Sequence, residues 1–280
     1  MLYTSKQLKA LVRKMSGGNN AKSQIIVRSY IMERFIERLS ISPYRNNMIL
    51  KGGVLMASVI GLNNRSTLDI DASFKNLSLT EENAKKVVEE IISIQIDDGV
   101  TFEIKSAAHI MDEADYSGIR LMLNTTLETM RTPLKIDFST GDVITLKEVQ
   151  YPFKLMFEER TIPILAYNLE TVLAEKIETF LARGTANTRM RDFYDIYALE
   201  KTQSHNIDND ILKAAFVNTS EKRGSSALVE TIDLALEEAV QNPNMIALWK
   251  NYQKKFDYAA DIDWEDVMLA VRKFCEVIKL

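Results

Sequence analysis

Two aspartates separated by one residue close a stretch that begins with two glycines. Gly52 and Gly53 follow a short apolar run, a helix-like segment comes next, and Asp69 and Asp71 then alternate with apolar residues. Side chains alternate between the two faces of a strand, so we expect both carboxylates on one face. Two like charges this close favour a cation between them, and Mg²⁺ keeps coordination positions open for phosphate oxygens.

The glycine pair predicts a binding corner for phosphate. Without Cβ atoms the turn lets a phosphate approach the backbone, and the N-terminus of the following helix offers N–H donors. Lys51, Arg65, Ser66 and Thr67 flank these motifs and are candidate triphosphate contacts, although they also suit a capped turn. Each motif alone is compatible with a solvated strand face or a plain turn. Their order and spacing together favour a site for a metal–nucleotide complex.

A third carboxylate belongs to a later predicted strand, residues 134–139. Asp137 lies between Ile136 and Phe138, which face a core, so its side chain is on the opposite face. A surface aspartate is the alternative interpretation.

A second group of charged residues lies in the helical half of the chain. Lys176 falls near the border of an apolar helix stripe, where a lysine must snorkel or meet an anion. Asp192 and Asp195 are three residues apart on the next predicted helix and share a face. An ion-pair lattice between two helices explains the same pattern.

These stretches resemble a known family. KGGVLMASVIGL…RSTLDIDASF resembles the signature of the polymerase-β-like nucleotidyltransferase superfamily, and looks most like the nucleotidyltransferase AbiEii/AbiGii toxin family. RMRDFYD, residues 189–195, is similar to the family's second motif, with Arg191 where lysine is usual. The spacing from Gly53 to Asp69 is slightly longer than in the commonest superfamily form, and Gly53 replaces a frequent serine. The resemblance covers about residues 45–200.

The resemblance implies roles for these residues. Asp69, Asp71 and Asp137 would bind Mg²⁺, or Mn²⁺ in its place, and Asp137 would also act as base on the acceptor hydroxyl. Lys176 would be a phosphate ligand. A network would position the nucleotide and dock the helical part onto the metal site; it consists of Arg189, Arg191, Asp192 and Asp195.

The resemblance also implies a biological setting. The chain would be the toxin of a bacterial toxin–antitoxin pair of type IV or of a phage-abortive pair, with a separately encoded antitoxin. GTP or a pyrimidine nucleotide would be the donor, and the 3′ end of a tRNA the acceptor. Two alternatives stay open: a nucleotidyltransferase that modifies a small molecule such as an aminoglycoside, and a non-catalytic protein that binds a nucleotide or RNA.

Composition restricts the class of protein. The 280 residues have 46% hydrophobic and 26% charged residues and a net charge of −4, so any RNA contact depends on local basic patches such as Lys250, Lys254 and Lys255. One cysteine suits a reducing cytosol, and two histidines disfavour a histidine-based zinc site. No apolar run is long enough for a membrane span. We expect a cytoplasmic protein, without membrane contact, and favour a monomer.

The periodicity predicts strands followed by a run of helices, an α+β chain. The resemblance implies that the α+β fold is a polymerase-β-like nucleotidyltransferase core, with a mixed sheet and flanking helices, followed by a C-terminal helical bundle. We expect N-terminal helices in residues 1–44, the core in 45–167, and in 168–280 a helical domain that completes the active site. The predicted helices are 5–15, 21–39, 54–60, 81–94, 169–182, 190–200, 209–218, 226–240, 244–256 and 264–278. The predicted strands are 68–72, 100–104, 119–127, 134–139, 143–144, 151–156 and 161–165, and residues 48–50 are a short apolar run.

Overall fold

The structure, a computed structural model, describes residues 4–111 and 117–279. They form two compact units. The first comprises Met1–Val59, Ser66–Asp142 and Val149–Ala166, and the second comprises Ile60–Arg65, Val143–Glu148 and Tyr167–Leu280. The N-terminal helices lie in the same unit as the sheet, and the division into three domains at residues 1–44, 45–167 and 168–280 remains a prediction.

The first unit is built on a seven-stranded mixed sheet with the strand order β3-β4-β5-β2-β1-β7-β6. β2 pairs with β5, and β1 with β7, in parallel, whereas the other neighbouring strands are antiparallel. The strands are β1 (Met48–Lys51), β2 (Asp69–Phe74), β3 (Val100–Met111), β4 (Ser117–Leu127), β5 (Met130–Thr140), β6 (Val149–Lys154) and β7 (Thr161–Ala166).

Four helices accompany this sheet: α1 (Ser5–Ser16), α2 (Asn20–Ile41), α3 (Gly52–Ile60) and α4 (Glu81–Ser93). α2 packs against β5 and β7, and α4 against β3 and β4. Ile70 on β2 and Ile136 on β5 are fully buried, because alternate strand residues point into the core. The intervening residues of both strands therefore lie on the other face of the sheet.

Capping side chains satisfy backbone N–H groups at the start of several helices. The Thr80 side chain accepts from the Asn83 N–H at the start of α4, and Asn168 does the same for Thr171 at the start of α5. α1 begins with a reciprocal capping box between Thr4 and Gln7. These local interactions fix where the helices start.

The second unit is helical. Its helices are α5 (Leu169–Arg183), α6 (Met190–Gln203), α7 (Asn209–Lys222), α8 (Ile232–Gln241), α9 (Pro243–Lys255) and α10 (Trp264–Lys279). Phe193 on α6 packs edge-on against Phe180 and Trp264, with ring centroids 5.5 and 5.2 Å apart. Among the described residues, no helix combines the length and the apolar character needed to cross a membrane.

The predicted α+β class and most predicted elements are confirmed, and four local predictions are wrong. Residues 143–144 are not a strand but part of a loop, and residues 226–231 form a 3₁₀ turn before α8. β3 extends to Met111 instead of ending at residue 104, and β5 already begins at Met130. The loop leaves the sheet because it is bound to helices of its own unit. The Thr145 N–H donates to Thr171 Oγ1 at 3.2 Å, and Asn168 Nδ2 donates to the Thr145 carbonyl at 3.0 Å.

Candidate active site

The parallel pairing of β2 with β5 gathers the three predicted carboxylates. In this register Asp71 lies beside Asp137, and Asp69 lies beside Lys135. Paired residues point to the same side of a sheet, and residues two apart on one strand share a face. Asp69, Asp71 and Asp137 therefore occupy one face, and their residues are partly exposed rather than in the core.

Gly52 and Gly53 hold the middle carboxylate of this group. β1 ends at Lys51, which is paired with Asp71, and the chain then turns into α3 at Gly52 with a φ of +59°. A Cβ at Gly52 would lie 2.1 Å from Asp71 Oδ2, so only glycine fits. The Gly53 N–H donates to the same Oδ2 at 3.1 Å. The N-terminus of α3, which the sequence predicts to bind phosphate, binds the Asp71 carboxylate here.

Two cations lie among the carboxylates. Lys135 Nζ is 2.6 Å from Asp69 Oδ2 and 3.7 Å from Asp137 Oδ2. Arg120 on β4 donates two hydrogen bonds of 2.8 Å to the Asp137 carboxylate, from Nε to Oδ1 and from Nη2 to Oδ2. Such bidentate pairs are strong and fix geometry. Lys135 and Arg120 thus compensate the negative charge that the three aspartates bring together.

Asp71 is the carboxylate with the least compensation. Burial raises the pKa of the Asp71 carboxyl, and the neighbouring charges of Asp137 and Asp69 raise it further. The Gly53 N–H and Lys51 act in the opposite direction without cancelling the rise. An oxygen-ligated cation at this face would relieve the repulsion that raises this pKa.

The donor chemistry of this face fits a hard divalent cation, because it offers carboxylate oxygens and no soft ligand. Among the side chains that the structure describes, no three or more His, Cys, Asp or Glu already converge in the arrangement of a metal site. Here each carboxylate has a protein partner: Asp69 pairs with Lys135, Asp71 with Gly53 and Asp137 with Arg120. The residues that could hold Mg²⁺ are therefore present, in an arrangement stabilised by internal cations.

The second unit brings together most of the second predicted group. The Arg65 guanidinium donates to both oxygens of Asp195, from Nε at 2.7 Å and from Nη2 at 3.1 Å. Lys176 Nζ lies 2.9 Å from Asp195 Oδ2 and also donates to Asp192. Asp195 is completely buried and Arg65 is 2% exposed. This is a buried ion-pair lattice, the alternative that the sequence left open, and it also includes Arg65, which the sequence placed with the glycine motif.

The lattice controls the protonation of its central carboxylate. Burial alone would raise the pKa of Asp195, but Arg65 and Lys176 lower it to about 2. Asp192 and Asp195 likewise raise the pKa of Lys176 against the effect of burial. Asp195, Arg65 and Lys176 are therefore all charged near neutral pH. Lys176 has the anions that its position on an apolar helix stripe requires.

The remaining predicted ligands have other partners. Lys51 Nζ lies 3.0 Å from Asp142, and Ser66 and Thr67 are buried. Thr67 Oγ1 donates to the Asp69 carbonyl at 3.3 Å, as expected for a local turn cap. In the second unit, Arg189 Nη1 lies 3.9 Å from Asp192, and the Arg191 guanidinium lies over the Phe256 ring at 5.6 Å. Their roles toward a nucleotide remain predictions.

Sequence reasoning missed Lys135 and Arg120. Lys135 is two residues before Asp137, so strand alternation alone would have placed both on one face. Arg120 faces Asp137 only through the register of β4 with β5, which the sequence does not reveal.

Residues 34–270 match the family described as nucleotidyl transferase AbiEii toxin, type IV TA system. The fold is similar to two crystal structures, those of a "putative nucleotidyltransferase from H. pylori" and of JHP933 from Helicobacter pylori. Each has a TM-score of 0.53 and 16% sequence identity over 91% of this chain, with 95% and 92% of those chains covered. No curated protein matches the sequence.

The structural similarity, at this level of identity, concerns the fold alone, and it agrees with the predicted mixed sheet with flanking helices. The family match spans most of the chain, including both the carboxylate face and the buried lattice. A separate antitoxin and a nucleotide substrate accompany this family. This chain belongs to the nucleotidyl transferase AbiEii toxin family of type IV toxin–antitoxin systems and is a nucleotidyltransferase toxin.

Proposed function

We propose that the chain takes a nucleoside triphosphate as its Mg²⁺ or Mn²⁺ complex and transfers the nucleotidyl group to RNA. The pairing of β2 with β5 carries this proposal, since it sets Asp71 beside Asp137 and keeps Asp69 on the same face. Burial first, and then the like charges of Asp137 and Asp69, raise the pKa of Asp71, and a bound cation would favour its charged form.

In this proposal Asp69, Asp71 and Asp137 hold the cation. When bound, the cation supplies positive charge to the triphosphate and to the charge that develops in the transition state. Asp71 is fixed by Gly53 and Asp137 by Arg120, so both carboxylates are oriented before substrate arrives. Such preorganisation is the main contribution a protein makes to this class of reaction.

Asp137 is the proposed base. The oxygen of the acceptor hydroxyl forms a bond to the α-phosphorus, and its proton passes to the Asp137 carboxylate. The bond from that phosphorus to the bridging oxygen breaks, and pyrophosphate leaves with the bonding electron pair. The two bonds from Arg120 keep the carboxylate in a fixed orientation during the transfer.

The proposed donor is GTP or a pyrimidine nucleotide, and the proposed acceptor is the 3′ end of a tRNA. Both rest on the family resemblance rather than on a residue contact. In the cell the modification would arrest growth, as in abortive infection by phage, until a separately encoded antitoxin counteracts it. Lys176, Arg189 and Arg191 are retained as proposed nucleotide contacts of the second unit.

The test is to incubate the protein with total bacterial RNA and each α-³²P-labelled NTP in turn, with Mg²⁺, with Mn²⁺ or with EDTA. We expect label on small RNA with one donor or one class of donor, and none with EDTA. Absence of labelled RNA with all four donors, or labelling that persists in EDTA, would contradict the proposal. Label transferred to an aminoglycoside but not to RNA would show that the chain is a nucleotidyltransferase that modifies small molecules.

A further inference from the structure

The N-terminal segment has an unusual charge. Residues 1–32 contain six lysines and arginines and no aspartate or glutamate, whereas the whole chain has a net charge of −4. The family match begins at residue 34, so α1 and the first half of α2 lie outside it. Packing of these helices against the sheet does not require side-chain charge of one sign.

In the structure this segment forms a groove with the start of β5. The groove has a volume of about 440 Å³ and is lined by α1, α2 and residues 130–133. Among the described residues that line it, four side chains are cations, and none is an acid or an aromatic ring; the cations are Lys9, Arg13, Arg28 and Arg131. Within the described residues none of these four makes an ion pair, unlike Lys135 and Lys176.

The helices bring these positive charges close together, and the repulsion between them costs free energy. Lys9 and Arg13 are four residues apart on α1 and so lie on the same face, where like charges repel. Glu128 anchors α1 beside β5, because its carboxylate accepts from the backbone N–H and the hydroxyl of Ser5. α1 is thus held where its cations add to those of α2 and β5. An anion in the groove would offset the repulsion.

We propose that this groove binds the phosphate backbone of the acceptor RNA. Three of the four cations are arginines, whose planar guanidinium matches a phosphate with two parallel hydrogen bonds. Ser23, Gln24 and Thr132 add neutral polar groups of the kind that contact phosphate and sugar. The described lining contains no aromatic side chain on which a base could stack, which favours binding that is independent of sequence.

The position of the groove suits an acceptor that also reaches the carboxylate face. Arg131 and Asp137 are both on β5, six residues apart, which corresponds to about 20 Å along a strand. Alternation places both on the partly exposed face of β5, together with Pro133 and Lys135. The groove would hold RNA at a distance from the reacting hydroxyl. This inference rests on the proposed function, because it assumes that the acceptor is RNA.

The test compares two triple variants with the same loss of charge. The groove variant is Lys9→Gln, Arg13→Gln and Arg28→Gln; the control is Lys6→Gln, Lys14→Gln and Lys22→Gln, on the same helices but outside the groove. Binding of fluorescein-labelled bacterial tRNA is followed by fluorescence anisotropy over a range of salt concentrations. The single variant Arg131→Gln on β5 provides a second probe if the triple variant does not fold.

We expect the groove variant to bind about 100-fold more weakly near 0.1 M salt, with a salt slope reduced by about 2 to 3. The control should stay within a few-fold of the wild type, and Arg131→Gln should lose about 10-fold. Equal losses in both triple variants, or unchanged affinity in the groove variant, would overturn the proposal. Unchanged RNA affinity with lost binding of the cognate antitoxin would instead assign the groove to a protein partner.

The label-transfer assay separates this proposal from the proposed function. If both hold, the groove variant has a raised KM for RNA and an unchanged kcat. If the wild type binds RNA through the groove but labels none, the proposed function fails and the groove stands. If the wild type labels RNA and the groove variant keeps its KM, the groove proposal fails and the proposed function stands.

Discussion

At the scale of single residues, the site depends on the close approach of Asp71 to the glycine corner. The carboxylate reaches the backbone so closely that a Cβ at Gly52 would overlap Oδ2, and Gly53 then donates to that oxygen. Gly52 therefore serves two purposes: it adopts a positive φ and it leaves room for the acid. The adjacent Gly53, where the superfamily often has serine, contributes its backbone N–H rather than a side chain.

Replacing Gly52 by alanine separates these two purposes when Gly17→Ala is the control. Gly17 has a φ of +60°, against +59° at Gly52, and a Cβ there meets nothing within 4 Å. We expect Gly17→Ala to lower the free energy of unfolding by about 1 kcal/mol, and Gly52→Ala by about 3 kcal/mol because of the clash. Chemical denaturation measures both. Equal losses in the two variants would show that the close approach of Asp71 to Gly52 does not affect the free energy of unfolding.

Lys135 tests whether the aspartates need a cation. Its ammonium compensates Asp69 and Asp137, so Lys135→Met should lower stability in EDTA, by about 1 kcal/mol because the pair is partly exposed. Added Mg²⁺ should raise the Tm of this variant more than that of the wild type. Lys105→Met, on the exposed part of β3, is the matched control. An identical Mg²⁺ shift in all three proteins would argue against a cation site at this face.

The residues of the site were predictable to different degrees. Alternation along one strand predicted that Asp69 and Asp71 share a face, and the resemblance predicted that Asp137 is their neighbour. Arg120 was not predictable, because a pairing register joins residues distant in sequence. The position of Lys176 near the border of an apolar helix stripe predicted that it snorkels or meets an anion, and in the structure it meets Asp192 and Asp195.

At the scale of secondary structure, local signals predicted the elements and long-range contacts decided the exceptions. Helices with capping residues, such as α4 and α5, begin at the predicted residues. The predicted strand at 143–144 is a loop, because Thr145 is bound to Thr171 and Asn168 instead of to a neighbouring strand. β3 extends to Met111 rather than residue 104, because β4 pairs along its length.

The lattice of α5 and α6 gives stability a defined pH dependence. The pKa of Asp195 is lowered from 3.8 to about 2, so its charged form stabilises the fold above pH 3.8, and this contribution disappears as the pH falls towards 2. A shift of this size is worth about 2 kcal/mol. We expect the difference in unfolding free energy between wild type and Asp195→Asn to shrink by that amount from pH 5 to pH 2, as measured by urea denaturation.

The same variant tests how the lattice is held together. At neutral pH, Asp195→Asn leaves the charges of Arg65 and Lys176 without their central carboxylate and should cost about 3 to 5 kcal/mol. A difference that stays constant with pH would contradict the lowered pKa of Asp195.

At the scale of the whole molecule, the charge is divided along the chain. Residues 1–32, which precede the family match, carry only positively charged side chains, while the chain as a whole is acidic. Because the net charge gives no general attraction to RNA, recognition has to be local. The sequence suggested a different basic patch for RNA contact, on α9, formed by Lys250, Lys254 and Lys255. The groove was missed because its four cations come from three separate elements.

The central claim is that the face bearing Asp69, Asp71 and Asp137 is the centre of nucleotidyl transfer. The most direct measurement is the rate of pyrophosphate release from NTP and RNA by Asp71→Asn and Asp137→Asn. Glu103→Gln, which removes an exposed carboxylate from β3 of the same sheet, is the control. We predict that both aspartate variants lose about 1,000-fold or more in rate while remaining folded and that the control stays near the wild type. Aspartate variants that release pyrophosphate as fast as the control would contradict this account.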